Sequence, residues 1–247
     1  MFLTMMIMSI VLLGMVMADG CPIEHVSIVN GSCCEVKSSP LEFKFSFSRS
    51  HVYNIVHFCG DCKLTAEGYC DAYSAGGGWL VIQRRQDGSV DFNKNWADYE
   101  NGFGSLTGEF WYGLRAIHCL TSQRVWQMRI DYTFTDGTKG YLSYSNFRVW
   151  PATEKYKLSI SGYSGVTSDP FSTVPINGMK FTTRDKDNSI ANCAVAAAGG
   201  VAGGWWYNNC AHIYPNHQFH RLPVNFSGKV YVLKFMEIKI KPKQCIV

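Results

Sequence analysis

The 247-residue sequence has no long apolar run after its first residues, no basic block and no repeat. No later apolar segment is long enough to anchor the chain in a membrane. The 23 Lys and Arg and 19 Asp and Glu are scattered and give a formal charge of +4, so nucleic acid is not an expected partner. Since collagen repeats and heptads are also absent, any homo-oligomer would depend on disulfide links or surface contacts.

Motifs for catalysis are absent as well. The chain contains no G-x-S-x-G serine motif, no phosphate-binding Walker loop and no H-E-x-x-H zinc motif. Outside one Asp-rich loop, no carboxylates are paired as a general acid and base would be. We therefore expect a binding protein that has no catalytic residues.

The N terminus indicates secretion. Met1 to Met17 is almost wholly apolar but too short to span a bilayer comfortably, and it ends at Ala18. These features predict a signal peptide over residues 1–18, followed by a short segment at 19–32, with a buried N-terminal helix as the alternative. All ten Cys lie beyond Ala18, and an even number of Cys in an oxidising compartment indicates disulfide bonds.

Apolar patterning predicts an α+β fold with a mostly antiparallel sheet. Trp79 to Gln83 is typical of a buried strand, and Asp136-Gly137 predicts a tight turn between two alternating strands, Val125 to Phe134 and Lys139 to Val149. A short helix is expected over Asp91 to Glu100. Further strands are expected at Tyr156 to Ile160 and, to close the sheet, Val230 to Ile240. Loops dominate between Val174 and Val230, and binding sites favour such loops on rigid scaffolds.

A collinear series of motifs resembles the fibrinogen-related domain family, which includes ficolins, tachylectin-like lectins, angiopoietins and the fibrinogen chains. The resemblance is closest in kind to the ficolin and tachylectin lectins, and it covers the chain from about Cys34 to Pro242. Its main motifs are Gly76-Gly77-Gly78-Trp79, Asp87-Gly88-Ser89-Val90-Asp91-Phe92, Trp96, Tyr99, Gly108-Glu109-Phe110-Trp111-Tyr112-Gly113, Asp185-Lys186-Asp187-Asn188, Trp205-Trp206-Tyr207 and Met236-Glu237-Ile238-Lys239.

The resemblance implies one fibrinogen C-terminal-like domain over residues 33–243, built in three parts. An N-terminal disulfide lobe is expected at about 33–78. A central twisted sheet is expected at 79–174 plus 230–242, and a loop-rich subdomain for calcium and ligand at 175–229.

Asp185 and Asp187 form the predicted calcium loop. Two carboxylates at this spacing in a loop can turn towards one point, where they repel unless a cation is present. Ca²⁺ accepts carboxylate and carbonyl oxygens in flexible geometry, although a solvated polar turn is the alternative for D-x-D alone. The resemblance adds backbone carbonyls at Ser189 and Ala191 as ligands.

The resemblance also implies disulfide bonds. Cys193 and Cys210 match the bridge that closes the recognition loop, and related lectins have a cis peptide at the position of Asn209-Cys210. Cys70 matches the second Cys of another bridge, with Cys34 as its partner and Cys33 as the alternative. Cys119 and Cys245 could meet, because the last strand should return to the central sheet.

A ligand pocket is implied beside the calcium loop. Acetylated glycans, of the N-acetylglucosamine or sialic acid type, are the first expected ligands, and the alternative is a cell-surface or matrix protein bound as angiopoietins bind receptors. Trp205 and Trp206 could be core or pocket residues. Where the family usually has His directly after the second Cys, this chain has Ala211. The expected ligand-binding residues are Tyr207, Asn209, Cys210, His212, His217 and Phe219, with Tyr214 as the alternative to Phe219.

Overall fold

The computed structural model describes residues 50–59, 62–122, 124–172, 174–196, 203–210, 213–218, 223–226 and 229–243. Its strands are β1 His51–Cys59, β2 Cys62–Asp71, β3 Trp79–Arg85, β4 Phe103–Gly104, β5 Phe110–Trp111, β6 Trp126–Phe134, β7 Lys139–Val149, β8 Leu158–Gly165, β9 Pro223–Phe226 and β10 Lys229–Pro242. The α-helices of this part of the chain are α1 Trp96–Asn101, α2 Leu114–Thr121 and α3 Cys193–Ala196.

The strands form one antiparallel sheet in the order β1-β2-β3-β10-β6-β7-β8. Three short strands pair outside this order, β5 with β3 and β4, and β9 with β10. The predicted α+β class with a mostly antiparallel sheet is confirmed. The last strand, β10, lies in the centre of the sheet, where Ile238 pairs with Gln83 of β3 and with Ile130 of β6. The N-terminal hairpin extends the same sheet, since β2 pairs with β3.

The two faces of the sheet differ in chemistry. On β10, Met236, Ile238 and Ile240 are buried in the hydrophobic core, as their alternation predicts. Helix α2 packs against β7 and β2 and contributes Leu114 and Ile117 to that core. This eight-residue helix was not predicted, and none of the helices in the described ranges is long and apolar enough to cross a membrane.

Glu237 and Lys239 of β10 lie in a network of buried charges. The side chain of Lys239 is only 1% exposed, and its Nζ lies 2.6 Å from Asp71, 2.9 Å from Asp131 and 3.0 Å from Glu237. Arg84 donates a 2.7 Å hydrogen bond to Glu237. This network borders a depression of about 550 Å³ on the sheet, which contains none of the predicted site residues.

Two local predictions have different outcomes. The Asp136-Gly137 turn is confirmed, because Gly137 has a φ of 87° and the flanking strands pair as β6 and β7. The helix predicted from Asp91 begins instead at Trp96. The Asp91 carboxylate accepts a 2.8 Å hydrogen bond from the Asn93 amide and so stabilises a turn in place of the helix.

Candidate functional site

Aromatic side chains fix the loop region to the central sheet. Phe181, which precedes the Asp-rich loop, lies 5.2 Å from Tyr99 of α1 and 5.0 Å from Trp206, centroid to centroid. Trp111 of β5 lies 5.5 Å from Tyr99. The main chains of Thr182 and Trp205 exchange hydrogen bonds of 2.9 and 3.0 Å. Trp205 and Trp206 are both buried, so the core alternative is correct for them.

Asp185 sits in a tight turn that is held by the main chain. Thr183 and Lys186 exchange two main-chain hydrogen bonds, of 3.1 and 3.2 Å. One carboxylate oxygen, Asp185 Oδ1, accepts hydrogen bonds from the Thr183 hydroxyl at 2.7 Å and from the Trp96 amide at 2.9 Å. Both bonds use the same oxygen, so the carboxylate is oriented, and none of the hydrogen bonds among the described residues uses its second oxygen.

Asp187 is oriented in a similar way by residues that follow it. Its Oδ1 accepts hydrogen bonds from the Ser189 amide at 2.9 Å and the Ser189 hydroxyl at 2.6 Å. The hydroxyl oxygen of Ser189 in turn accepts a 2.9 Å bond from the Cys193 amide, at the start of α3. The loop from Asp187 to Cys193 is therefore hydrogen-bonded into one unit.

The donor set of this loop fits calcium. Asp185 and Asp187 are both exposed, and each has one carboxylate oxygen that no hydrogen bond of the described residues uses. The same holds for the carbonyls of Ser189 and Ala191. All four groups supply hard oxygen atoms, which Ca²⁺ prefers. The described residues hold no cluster of three or more acidic, His or Cys side chains suited to a metal, so the carbonyls would have to complete the ligand set.

The segment with Cys210 lies against this loop. The Ile190 amide donates a 3.3 Å hydrogen bond to the Asn208 carbonyl, and the Cys210 amide donates a 2.7 Å bond to the Cys193 sulfur. Burial, the neighbouring sulfur of Cys193 and the charge of Asp187 raise the pKa of the Cys210 thiol to about 12. Asp187 and both cysteines therefore belong to one site.

Tyr207 and His217 lie inside the protein. Tyr207 is fully buried, and its hydroxyl donates a 3.0 Å hydrogen bond to the Gly203 carbonyl. His217 is 2% exposed, and its carbonyl accepts a 2.7 Å bond from Arg85 of β3. The prediction that these two side chains line a ligand pocket is wrong, because both are buried.

Comparison with known proteins decides the family. The profile described as "Fibrinogen beta and gamma chains, C-terminal globular domain" matches residues 46–243. The chain belongs to the fibrinogen C-terminal domain family. Within this family it is 40% identical to mouse Fibrinogen C domain-containing protein 1 over 191 residues, which are 70% of this chain and 40% of that protein. It is also 34% identical to bovine Angiopoietin-4 over 221 residues, 85% of this chain and 42% of that protein.

A solved family member has the same fold. The fibrinogen-like globe domain of human ANGPTL2 superposes with a TM-score of 0.73 at 35% identity, covering 80% of this chain and 94% of that domain. The chain thus spans about two fifths of the length of the curated relatives above and nearly all of the ANGPTL2 globe domain.

Two features expected from the family are different in this structure. Cys193 and Cys210 are adjacent but are free cysteines, so the predicted bridge is not formed. The Asn209-Cys210 peptide is trans, like every peptide bond in the described ranges, and the chain turns instead through a left-handed Cys210 with a φ of 58°. In this turn the Cys210 amide lies 2.7 Å from the Cys193 sulfur.

The remaining predicted positions have mixed outcomes. Asn209 is exposed and Cys210 is partly buried beside the predicted calcium loop. His212 and Phe219 lie outside the described residues, and the half-buried Tyr214 packs 6.0 Å from Tyr207. The other cysteines are partly described. Cys70 and Cys119 are each disulfide-bonded, whereas Cys34, Cys33 and Cys245 lie outside the described residues, so those pairings stay predictions.

Two exposed apolar residues of the site were missed. Ile190, between the predicted carbonyl ligands, is 77% exposed, and Val195 on α3 is 43% exposed. Because a loop without periodicity has no buried face that can be read from its sequence, only the structure distinguishes these side chains from core residues.

Proposed function

We propose that the chain is an extracellular recognition domain that binds a protein surface through its calcium loop and the adjoining segment. We define residues 187–195 and 208–210 as the recognition face. The exposure of Ile190 and Val195 carries the proposal, because large apolar side chains on a hydrogen-bonded loop supply the apolar contact area of a protein interface. Exposed amides of Asn192 and Asn209 would supply the polar rim.

Calcium would stabilise this face. Asp185 and Asp187 would hold the ion together with the carbonyls of Ser189 and Ala191, and the ion would neutralise the repulsion between the carboxylates. Since the set contains only two carboxylates, the expected affinity is that of weak extracellular sites, with a Kd on the order of 0.1–1 mM. Calcium bound there would fix the main chain on both sides of Ile190, because this residue lies between the two carbonyl ligands in sequence.

The second candidate ligand is an acetylated glycan, bound in the manner of the ficolin and tachylectin lectins. The exposed Asn209 amide next to Cys210 favours it, because an amide can bond an acetyl oxygen. Three observations favour the protein ligand instead. Tyr207 and His217 are buried, and the Cys210 amide is already bonded to the Cys193 sulfur.

The test uses binding of the secreted protein to cultured cells, with the domain clustered on an antibody to raise avidity. A protein ligand predicts calcium-dependent binding that is lost after protease treatment of the cells and survives periodate oxidation of their glycans. Binding that periodate abolishes and N-acetylglucosamine inhibits would support the glycan candidate. Binding that is unchanged by a calcium chelator would contradict the proposed role of the loop.

A matched pair of variants locates the surface. Ile190→Asp should reduce binding at least about tenfold, since an apolar side chain that the partner would bury in the complex is replaced by an unpaired charge. Val166→Asp is the control, because Val166 is also strongly exposed but borders the depression on the sheet. Equal loss in both variants would show that the recognition face is placed wrongly.

A further inference from the structure

We propose that Trp96 is a positioning residue of the calcium loop, which holds the Lys186 ammonium away from the two carboxylates. This inference rests on the calcium site proposed above and adds a role for a residue that supplies no ligand atom. In the sequence the cationic side chain of Lys186 lies between Asp185 and Asp187.

Lys186 is a potential competitor of the metal ion. An ammonium group within about 4–6 Å of a carboxylate stabilises its charge and would occupy the position where a cation binds. In the structure Lys186 Nζ instead lies 4.0 Å from the centroid of the Trp96 ring. None of the ion pairs in the described part of the chain joins Lys186 to Asp185 or Asp187.

Trp96 is well placed to hold this lysine. Its ring packs against Tyr156 at 5.9 Å and against Phe181 at 6.2 Å, so its position is set by the core. Its amide bonds Asp185 Oδ1, so the same residue orients one carboxylate and attracts the competing cation with its ring face.

The second cation of the loop is directed in the same way. Arg184 Nε donates a 2.8 Å hydrogen bond to the side-chain oxygen of Asn95, directly before Trp96. Residues 95 and 96 therefore bind the two cations that flank Asp185 in sequence. The carboxylates keep their net negative charge for a metal ion, although Arg184 and Lys186 adjoin them in the chain.

The test is a double-mutant cycle on calcium affinity, measured by isothermal titration calorimetry with the secreted protein. Trp96→Leu should weaken calcium binding about two- to fivefold, which corresponds to loss of an exposed cation–π contact. Lys186→Met should strengthen it. In the Lys186→Met background, Trp96→Leu should have no effect on affinity, because no ammonium remains to be held. Trp96→Phe, which keeps an aromatic face, should lie between the wild type and Trp96→Leu.

The outcomes separate this inference from the calcium site itself. If the wild type binds calcium and Trp96→Leu weakens binding equally with and without Lys186, Trp96 acts only through packing and the inference is overturned. A melting curve without calcium shows whether Trp96→Leu is folded. If it is not, the inference is also overturned when the two single variants Trp96→Phe and Lys186→Met both bind calcium with the affinity of the wild type. A wild type that binds no calcium overturns the site and this inference together.

Discussion

The main-chain nitrogen of Trp96 donates a 2.9 Å hydrogen bond to Asp185, which lies 89 positions further along the chain. This bond joins the first turn of α1 to the loop that we propose binds calcium. The ring of the same tryptophan packs on Phe181, which belongs to the aromatic core under the loop. The loop is therefore anchored to the folded domain, so calcium binding at its carboxylates should raise the stability of the whole domain.

Lys239 should be essential for stability. Lys239→Met leaves the carboxylates of Asp71, Asp131 and Glu237 close together without their shared ammonium. We expect a loss of about 3–5 kcal/mol in the free energy of unfolding, measured by urea denaturation. The reason is that removing one partner of a buried ion pair leaves the other charge buried without compensation. Lys234→Met on the exposed side of the same strand is the control and should change it by less than about 0.5 kcal/mol.

Asp71 should make stability depend on pH in the acid range. Burial alone would raise its pKa, but hydrogen bonds from Lys239 and Ser74 lower the pKa well below the usual 3.8. A depressed folded-state pKa gives stability that is complete above the unfolded pKa, at about pH 4, and is lost as the pH falls towards the folded value. Asp71→Asn should therefore destabilise the domain at pH 7, and the difference from the wild type should shrink below about pH 4.

Urea titrations at pH 7, 5 and 3 test this prediction. A difference in unfolding free energy that stays the same at all three values would show that Asp71 is not charged in the folded state or that another residue takes its place.

Glu109 should stabilise the loop between β3 and α1. Its buried carboxylate lies 3.6 Å from Arg85 and accepts hydrogen bonds from the main-chain amides of Gln86, Asp87, Gly88 and Val90. Glu109→Gln should cost about 2–3 kcal/mol, because a neutral amide offers one acceptor oxygen and turns donors towards donors. Chemical denaturation measures this cost, and the exposed Glu67→Gln is the control. Equal stability of both variants would contradict the assigned role.

Much of the fold follows from patterns within single segments. The alternation from Val125 to Phe134 and the Asp136-Gly137 turn predict β6, β7 and the hairpin between them, because strand periodicity and turn chemistry are local. The closing strand was also predicted. Helix α2 was missed, although Leu114, Ile117 and Leu120 have helical spacing, since it is short and starts directly after a strand-like aromatic run.

The candidate site was predictable only in part. The spacing of Asp185 and Asp187 indicates paired carboxylates, and the structure gives each of them an oriented oxygen. The burial of His217 could not be predicted, because Gln83 and Arg85 of β3, more than 100 positions away, donate hydrogen bonds to the carbonyls of Pro215 and His217. Contacts over such separations leave no periodic signal in the sequence.

The calcium loop is tested most directly by the melting temperature with and without calcium. Wild-type protein should melt at a higher temperature in millimolar calcium than in chelator, and Asp187→Ala should abolish this shift. Asp87→Ala is the matched control, because Asp87 also bonds the amide of a serine two residues later, at 2.9 Å, but lies outside the loop. That variant should keep the full calcium shift. An Asp187→Ala protein that calcium stabilises as much as the wild type would contradict the assignment.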